Sequence, residues 1–343
     1  MRRILSFILL GLGVFAVALG LLLRFYAYPQ LAKIPLDQES ISVAEGHGIT
    51  ALVVETVDGA PSPEIRQNLS LTSTTYVTGD LTAPEVEEDG DIGVFVEAIR
   101  TVDDASGTVV NASVRSLCVD RFTNEAVAPC EGQYIEQEQD NRVTADRNSL
   151  QQPGQSLKFP FGTEQRNYQY YDLTAREAIE ARFEGVETIK DLEVYKFVMN
   201  VSPTKVADRD VPGSLVGLPE PSVDAELYYE VERTVWVEPE TGIVIRGAQD
   251  MRQQLLTTGQ APGGGTTVFE GTLGFTETTV NDNVSKATDN KSKLSLLTTW
   301  PVFMWIGGGV LVVVGGLLLA TTAAGRRGGE DQTTRRMPAH AEN

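Results

Sequence analysis

Apolar and polar positions follow two regimes along this chain, unbroken at the two ends and alternating in between. Ile4–Leu23 is twenty residues without a charge, and Val302–Ala324 is a second uncharged run. Twenty residues of α-helix are about 30 Å long, the thickness of a hydrocarbon core. A helix also satisfies its own backbone hydrogen bonds, which lipid cannot do for it. The ends therefore predict two transmembrane helices, within residues 1–24 and 301–325. A signal peptide is the rival for the first run, with Ala16-Val17-Ala18 as a cleavage site. The apolar core runs on through Leu23, past the roughly 7–15 residues of a signal core, so an uncleaved anchor is expected.

Residues 25–300 alternate with a period of two, as half-buried strands do. Val94–Thr101 and Thr108–Val119 flank Asp103-Asp104-Ala105-Ser106-Gly107 and read as a hairpin. Leu227–Glu238, Ile243–Gln254 and Thr267–Val280 read as an antiparallel meander, turning at Pro239-Glu240-Thr241-Gly242. Two helices are expected inside this region. One is Ala175–Glu184, opened by the capping box Thr174-Ala175-Arg176-Glu177 and ended by Gly185. The other is a polar stem, Asn281–Ser295, leading into the second span. Pro84–Asp91, Ser202–Pro221 and Gly259–Gly265 read as loops. Without an internal repeat or a long linker, residues 25–300 are expected to form one domain, mainly β (α+β) and antiparallel, between the two helices.

Charge sets the orientation. The chain of 343 residues carries a formal net charge of −19. Arg2, Arg3, Arg326, Arg327, Arg335 and Arg336 lie outside the apolar runs, against Glu330, Asp331 and Glu342. That local surplus leaves about −22 for the segment between them. Basic flanks stay cytoplasmic, so both termini are expected inside and residues 25–300 outside, with 326–343 as a basic cytoplasmic tail. Arg24 alone argues the other way. Trp300 and Trp305 flank the start of the second run as expected membrane anchors, with Phe25, Tyr26 and Tyr28 after the first and Arg326 and Arg327 at the cytoplasmic end. Gly307, Gly308, Gly309, Gly315 and Gly316 leave the second span smooth enough for close helix packing. An acidic middle excludes phosphate backbones as partners, hence no nucleic acid. Cations, membrane lipids and further copies of the chain remain as expected partners.

Candidate chemistry is sparse. The two cysteines, Cys118 and Cys130, both fall in the external segment, where an oxidising compartment favours a disulfide across a short loop. Of two histidines, His340 lies in the tail and His47 stands alone in the middle, where it reads as a loop residue. Gly213-Ser214-Leu215-Val216-Gly217 is not a nucleophile elbow, and no phosphate-binding glycine fingerprint occurs. Asp89-Gly90-Asp91 and Asp208-Arg209-Asp210 lack the register of a calcium loop and read as solvated turns. Asn68, Asn111, Asn200, Asn283 and Asn290 lie in N-x-[ST] sequons, relevant only in a host that glycosylates. Neither an enzyme, a metal nor a cofactor is expected.

Three segments in order carry a family resemblance: Asp120-Arg121-Phe122-Thr123-Asn124-Glu125-Ala126-Val127, Leu192-Glu193-Val194-Tyr195-Lys196-Phe197 and Val237-Glu238-Pro239-Glu240-Thr241-Gly242. With the two terminal spans, the chain resembles the PorA-type porin family of bacterial envelope proteins along nearly its whole length. The resemblance implies a channel-type protein of the bacterial cytoplasmic membrane, and marks Asp120, Arg121, Tyr195, Phe197, Pro239 and Gly242 as family-motif positions without assigning them roles. Outer-membrane barrels cross lipid with strands of about ten residues, whereas the apolar runs here are helical. The layout is also similar to that of the class B scavenger receptors, whose external domain handles lipid, with Tyr195-Lys196-Phe197 as the one local similarity. A lipid-binding or lipid-transfer ectodomain is therefore the second expectation, and a structural envelope scaffold the third.

Overall fold

A computed structural model describes residues 2–139, 142–146 and 151–330. Helix α1 (Arg2–Leu22) continues through a π-helical turn, Leu23–Ala27, into the short α2 (Tyr28–Leu31). There follow β1 (Glu39–Val57), β2 (Ala60–Gly79), the single turn α3 (Pro84–Glu88), β3 (Ile92–Asp103), β4 (Val109–Asp120), β5 (Tyr134–Gln139) and β6 (Arg142–Asp146). The second half holds β7 (Tyr168–Asp172), β8 (Glu177–Ile189), β9 (Leu192–Val211), β10 (Val223–Val237), β11 (Val244–Leu256) and β12 (Thr266–Phe275). Helices α4 (Glu277–Thr298) and α5 (Trp300–Glu330) close the chain. Two compact units result: residues 33–290, built on the sheet, and residues 1–32 with 291–343, built on helices.

Among the described residues the sheet has twelve strands in the order β6-β5-β4-β3-β2-β1-β12-β11-β10-β9-β8-β7. Two antiparallel meanders are thus joined where β1 meets β12, Ala51 lying opposite Phe269. Every strand faces its sequence neighbour or closes this one seam, so short turns set most of the register. Asp58-Gly59 (φ 51° and 80°) makes the two-residue turn that the right-handed strand twist favours, pairing Val57 with Ala60. Bulges between His47 and Ala51, Phe183 and Gly185, and Tyr229 and Val231 bend the sheet so that it curls around one concave face. On β10 the alternation is clear: Ala225, Leu227, Tyr229, Val231, Val235 and Val237 are buried. Their neighbours Glu226, Tyr228, Glu230 and Glu232 point the other way.

The meander of β10, β11 and β12 and the hairpin of β3 and β4 form where the pattern placed them. Four expectations are corrected. Residues 175–184 are not a helix: 175–176 close a turn and 177–184 belong to strand β8, where Ile179, Ala181 and Phe183 alternate with exposed Glu180, Arg182 and Glu184 across the β7 and β9 ladders. The helix-forming residues Ala, Glu and Arg are overridden by cross-strand pairing. Gly185 (φ 155°) sits at the bulge of that strand. The first half of Ser202–Pro221 is the end of β9, with Pro203 tolerated at a bulge and Asp208–Asp210 inside the strand. The third meander strand ends at Phe275, where the Thr276 hydroxyl accepts a hydrogen bond from the Thr279 N–H (3.1 Å) and caps α4. His47 lies in β1, exposed beside Ser70 (Nδ1 to Oγ 2.9 Å), not in a loop. Pro84–Asp91 is a loop apart from the turn of α3.

The helical unit packs by size. Ser6, Gly13 and Gly20 recur every seventh residue of α1 and are buried, as are Pro301, Gly308 and Gly315 on α5. A Cβ on Gly13 would meet the Gly308 carbonyl oxygen at 2.6 Å, and one on Gly308 would meet that of Gly13 at 2.7 Å. The backbones therefore touch where side chains are missing, as apolar helices do when no hydrophobic force separates inside from outside. Gly307, Gly309 and Gly316 face open space. Both helical segments are long and apolar enough to cross a membrane.

Candidate functional site

A cavity of about 520 Å3 lies against the concave face of the sheet, within the range of small-molecule sites. Register gives it a long axis. From Leu227, opposite Leu255, to Arg233, opposite Gln249, its wall runs six residues along β10 and β11, about 20 Å. Leu52, Val206, Val211, Leu227, Leu255 and Val268 line one end. Ser73, Thr101, Ser113, Gln249 and Arg233 line the other. Five strands meet at the first end, where Arg209 joins the apolar side chains, and Ile99, Val109, Val110 and Leu273 accompany the polar ones at the second.

Beyond the second end, buried ion pairs fill the concave face. Asp172, fully buried, accepts hydrogen bonds at Oδ2 from Arg233 Nη2 (3.0 Å) and the Tyr229 hydroxyl (3.2 Å). Its Oδ1 accepts from the N–H groups of Thr174 (3.0 Å) and Ala175 (2.8 Å), which shapes the turn from β7 to β8. Burial is the largest influence and disfavours the Arg233 cation, but Asp172 together with the Tyr229 and Tyr170 hydroxyls holds the guanidinium pKa above its ordinary value. Burial likewise raises the Tyr229 hydroxyl, only partly offset by Arg233. Next to this pair, Arg115 Nε meets Glu97 Oε2 at 2.5 Å, and its Nη1 approaches Gln152 Oε1 at 3.4 Å. Tyr170 sits in the field of both pairs with its hydroxyl pKa raised by burial, and donates to the Ser156 carbonyl.

All three family-motif segments send residues elsewhere, to the crossover segment 157–163 between the two meanders. Asp120 Oδ1 accepts from the N–H groups of Phe122 (2.9 Å) and Thr123 (2.6 Å), forming a tight turn in which Asn124 takes φ 57°. Asn124 then donates to the Lys158 carbonyl, and Phe122 stacks on Phe161 at 6.3 Å. Arg121 ties three strands of chain together, donating to the carbonyls of Ile34 (2.7 Å) and Gly90 (2.6 Å) beside its own backbone pairs. Phe197, fully buried, stacks on Phe159 at 4.6 Å, and Tyr195 packs edge-on against Phe183 at 5.6 Å. The Pro239 carbonyl accepts from Thr163 N–H (2.7 Å) and the Gly242 carbonyl from Phe159 N–H (3.0 Å). At Gly242 (φ 71°) a Cβ would lie 2.1 Å from the Phe159 carbonyl oxygen, so the contact itself requires glycine. Phe122, Asn124, Phe197, Pro239 and Gly242 hold the crossover, and none of the family-motif residues lines the cavity.

Lys158 lies within that clasp. The residue is half-buried, but its ammonium is enclosed, with Nζ 3.3 Å from the centre of the Phe161 ring. Burial pushes its pKa down to about 7, with Glu238 partly restoring the charge. Cys118 and Cys130 form the expected disulfide, Cα to Cα 6.0 Å, and Glu85 Oε1 accepts from the adjoining N–H groups of Glu131 (3.0 Å) and Gly132 (3.1 Å). Trp300 is exposed, whereas Trp305 stacks on Phe25 at 6.2 Å over Gly20. Arg326 and Arg327 continue α5, and Arg335, Arg336 and His340 lie outside the described residues. Sequence reasoning missed Asp172, Tyr229 and Arg233. Their one signal was an arginine on the otherwise apolar face of β10.

The fold and site define a class: an antiparallel β protein with an internal cavity, flanked by two helices of membrane-like apolarity. The chain belongs to the Porin PorA family, whose model matches residues 5–317. A Porin PorA of Corynebacterium amycolatum is 26% identical over 300 residues, covering 73% of this chain and 78% of that protein. A Porin PorA of Corynebacterium resistens is 26% identical over 206 residues, covering 42% of this chain and 47% of that protein, less than half its length.

Proposed function

We propose that this protein is a non-enzymatic, channel-type component of the bacterial cytoplasmic membrane, crossing it with α1 and α5 and carrying the β unit outside. The family match over residues 5–317 carries this reading, because the named relatives are porins. The structure supports helical rather than β crossing. Glu232, Asp250 and Glu270 stand exposed on the convex side of the sheet, where a barrel in lipid needs an apolar band. The large side chains Phe7, Leu12, Phe15, Phe303 and Val313 are instead exposed on the helices. Backbone contact at Gly13 and Gly308 leaves no bore within one helix pair, so a water path calls for several copies of the chain. The basic flanks put both termini in the cytoplasm, and the acidic external segment gives the pore a preference for cations that salt weakens.

Purified full-length protein in a planar bilayer tests this reading, with a chain lacking residues 300–330 as control. Discrete, cation-selective steps absent from the control are the expected result. A silent bilayer with folded protein would overturn the channel reading.

A further inference from the structure

We propose that the concave cavity binds an uncharged, hydroxyl-rich ligand of the saccharide class. Three observations support this. First, polar and apolar side chains interleave on its wall at the shortest spacing a strand allows. Along the inner face of β11, Gln249, Met251, Gln253 and Leu255 alternate, each about 7 Å from the next. On the hairpin of β3 and β4, Ile99 lies opposite Ser113 and Thr101 opposite Asn111. A hydrocarbon chain laid on either wall would cover a carboxamide or hydroxyl at every second step, leaving it without water and without a partner. A sugar ring carries C–H faces beside O–H edges and meets both kinds of group.

Second, the wall holds neutral hydrogen-bonding groups with capacity to spare. Ser113 is 5% exposed, and neither its hydroxyl nor the side chains of Asn111 and Gln253 have a hydrogen-bond partner among the described residues. Gln249 accepts from Arg233 Nε (3.3 Å) through its Oε1, which leaves its amide N–H groups to donate. Hydroxyls and carboxamides both donate and accept, as the hydroxyls of a sugar do. Third, the lining offers no spare charge. Among the described residues no carboxylate lines the cavity, Arg233 is paired with Asp172 (3.0 Å), and Arg176 and Arg209 have partners of their own. An ionised ligand would have to break one of these contacts or be buried unpaired. A volume of about 520 Å3 lies within the range of small-molecule sites and suits a short saccharide. Binding is read without conductance, so the assignment stands or falls independently of channel activity.

The test uses the full-length protein in lipid nanodiscs, free of sugar-headed detergent, and saturation-transfer NMR of maltose, cellobiose, lactose and maltotriose at millimolar concentration. At least one of these sugars should receive saturation from the protein. Ser113→Ala and Gln253→Leu should each weaken its binding about ten-fold, the loss of one hydrogen bond to the ligand. Met251→Trp should abolish binding by filling the cavity. The uronic-acid form of the same sugar, and decanol, should compete at least ten-fold more weakly than the neutral sugar. Silence from all of the sugars with folded protein would overturn the assignment, and so would better competition by the uronic acid or by decanol. Unchanged affinity in folded Ser113→Ala, Gln253→Leu and Met251→Trp proteins would place the sugar outside this cavity and overturn it equally.

Discussion

The two units of this protein are built inside out with respect to each other. The sheet unit buries Phe95, Phe159, Phe197 and Ile245 and shows Glu232, Asp250 and Glu270. The helical unit buries Ser6, Gly13, Gly20, Gly308 and Gly315 and shows Phe7, Phe15, Phe303 and Leu317. Water rewards the first arrangement through the hydrophobic effect. Lipid offers no such reward, and helices there associate through close contact at small residues. The same chain thus carries two packing rules, and each predicts its own response to mutation.

The largest effects belong to the sheet. Phe197→Ala removes a fully buried ring from the aromatic cluster around Phe159, and should cost about 3–5 kcal/mol in denaturant unfolding of the β unit. Asp172→Asn leaves Arg233 in the interior without its anion and should cost about 3 kcal/mol; Asp172→Leu with Arg233→Met should recover part of it. Cys118→Ser opens the disulfide loop and should cost on the order of 3 kcal/mol under oxidising conditions, and nothing under reducing ones. Gly13→Leu should leave that unfolding unchanged but part α1 from α5, read as loss of a short cross-link between cysteines placed at the stacked pair Phe25 and Trp305.

The smallest effect is a pH dependence within the clasp. Lys158 has a folded pKa of about 7, below its unfolded value of about 10.4, so the unfolded chain holds more protons between them. Stability should therefore rise as pH increases from about 7 towards 10.4, as the cost of burying the charge is removed. Lys158→Met should flatten that rise in denaturant titrations at several pH values. An unchanged slope would show that the ammonium reaches water.

Legibility in the sequence divides along the same line. Uninterrupted runs such as Ile4–Leu23 need no partner to be recognised, and the long alternation of Leu227–Glu238 is nearly as plain. Strand β8 was misread because its residues favour a helix and only the ladders to β7 and β9 decide otherwise. Strand β2 was hidden by Pro61 and Pro63 near its start, although Asp58-Gly59 marked the hairpin. The cavity was not legible at all. Its walls are alternate positions from distant strands, and Asp172 finds Arg233 across 61 residues of sequence.

One measurement addresses the central claim, that the two units face two different solvents. Gln260→Cys sits at the exposed tip between β11 and β12, and Ala339→Cys in the basic tail. Protoplasts expressing each variant are treated with a membrane-impermeant maleimide before and after lysis. The account predicts labelling of Gln260→Cys in intact protoplasts and of Ala339→Cys only after lysis. Labelling of both before lysis, or of neither, would contradict it.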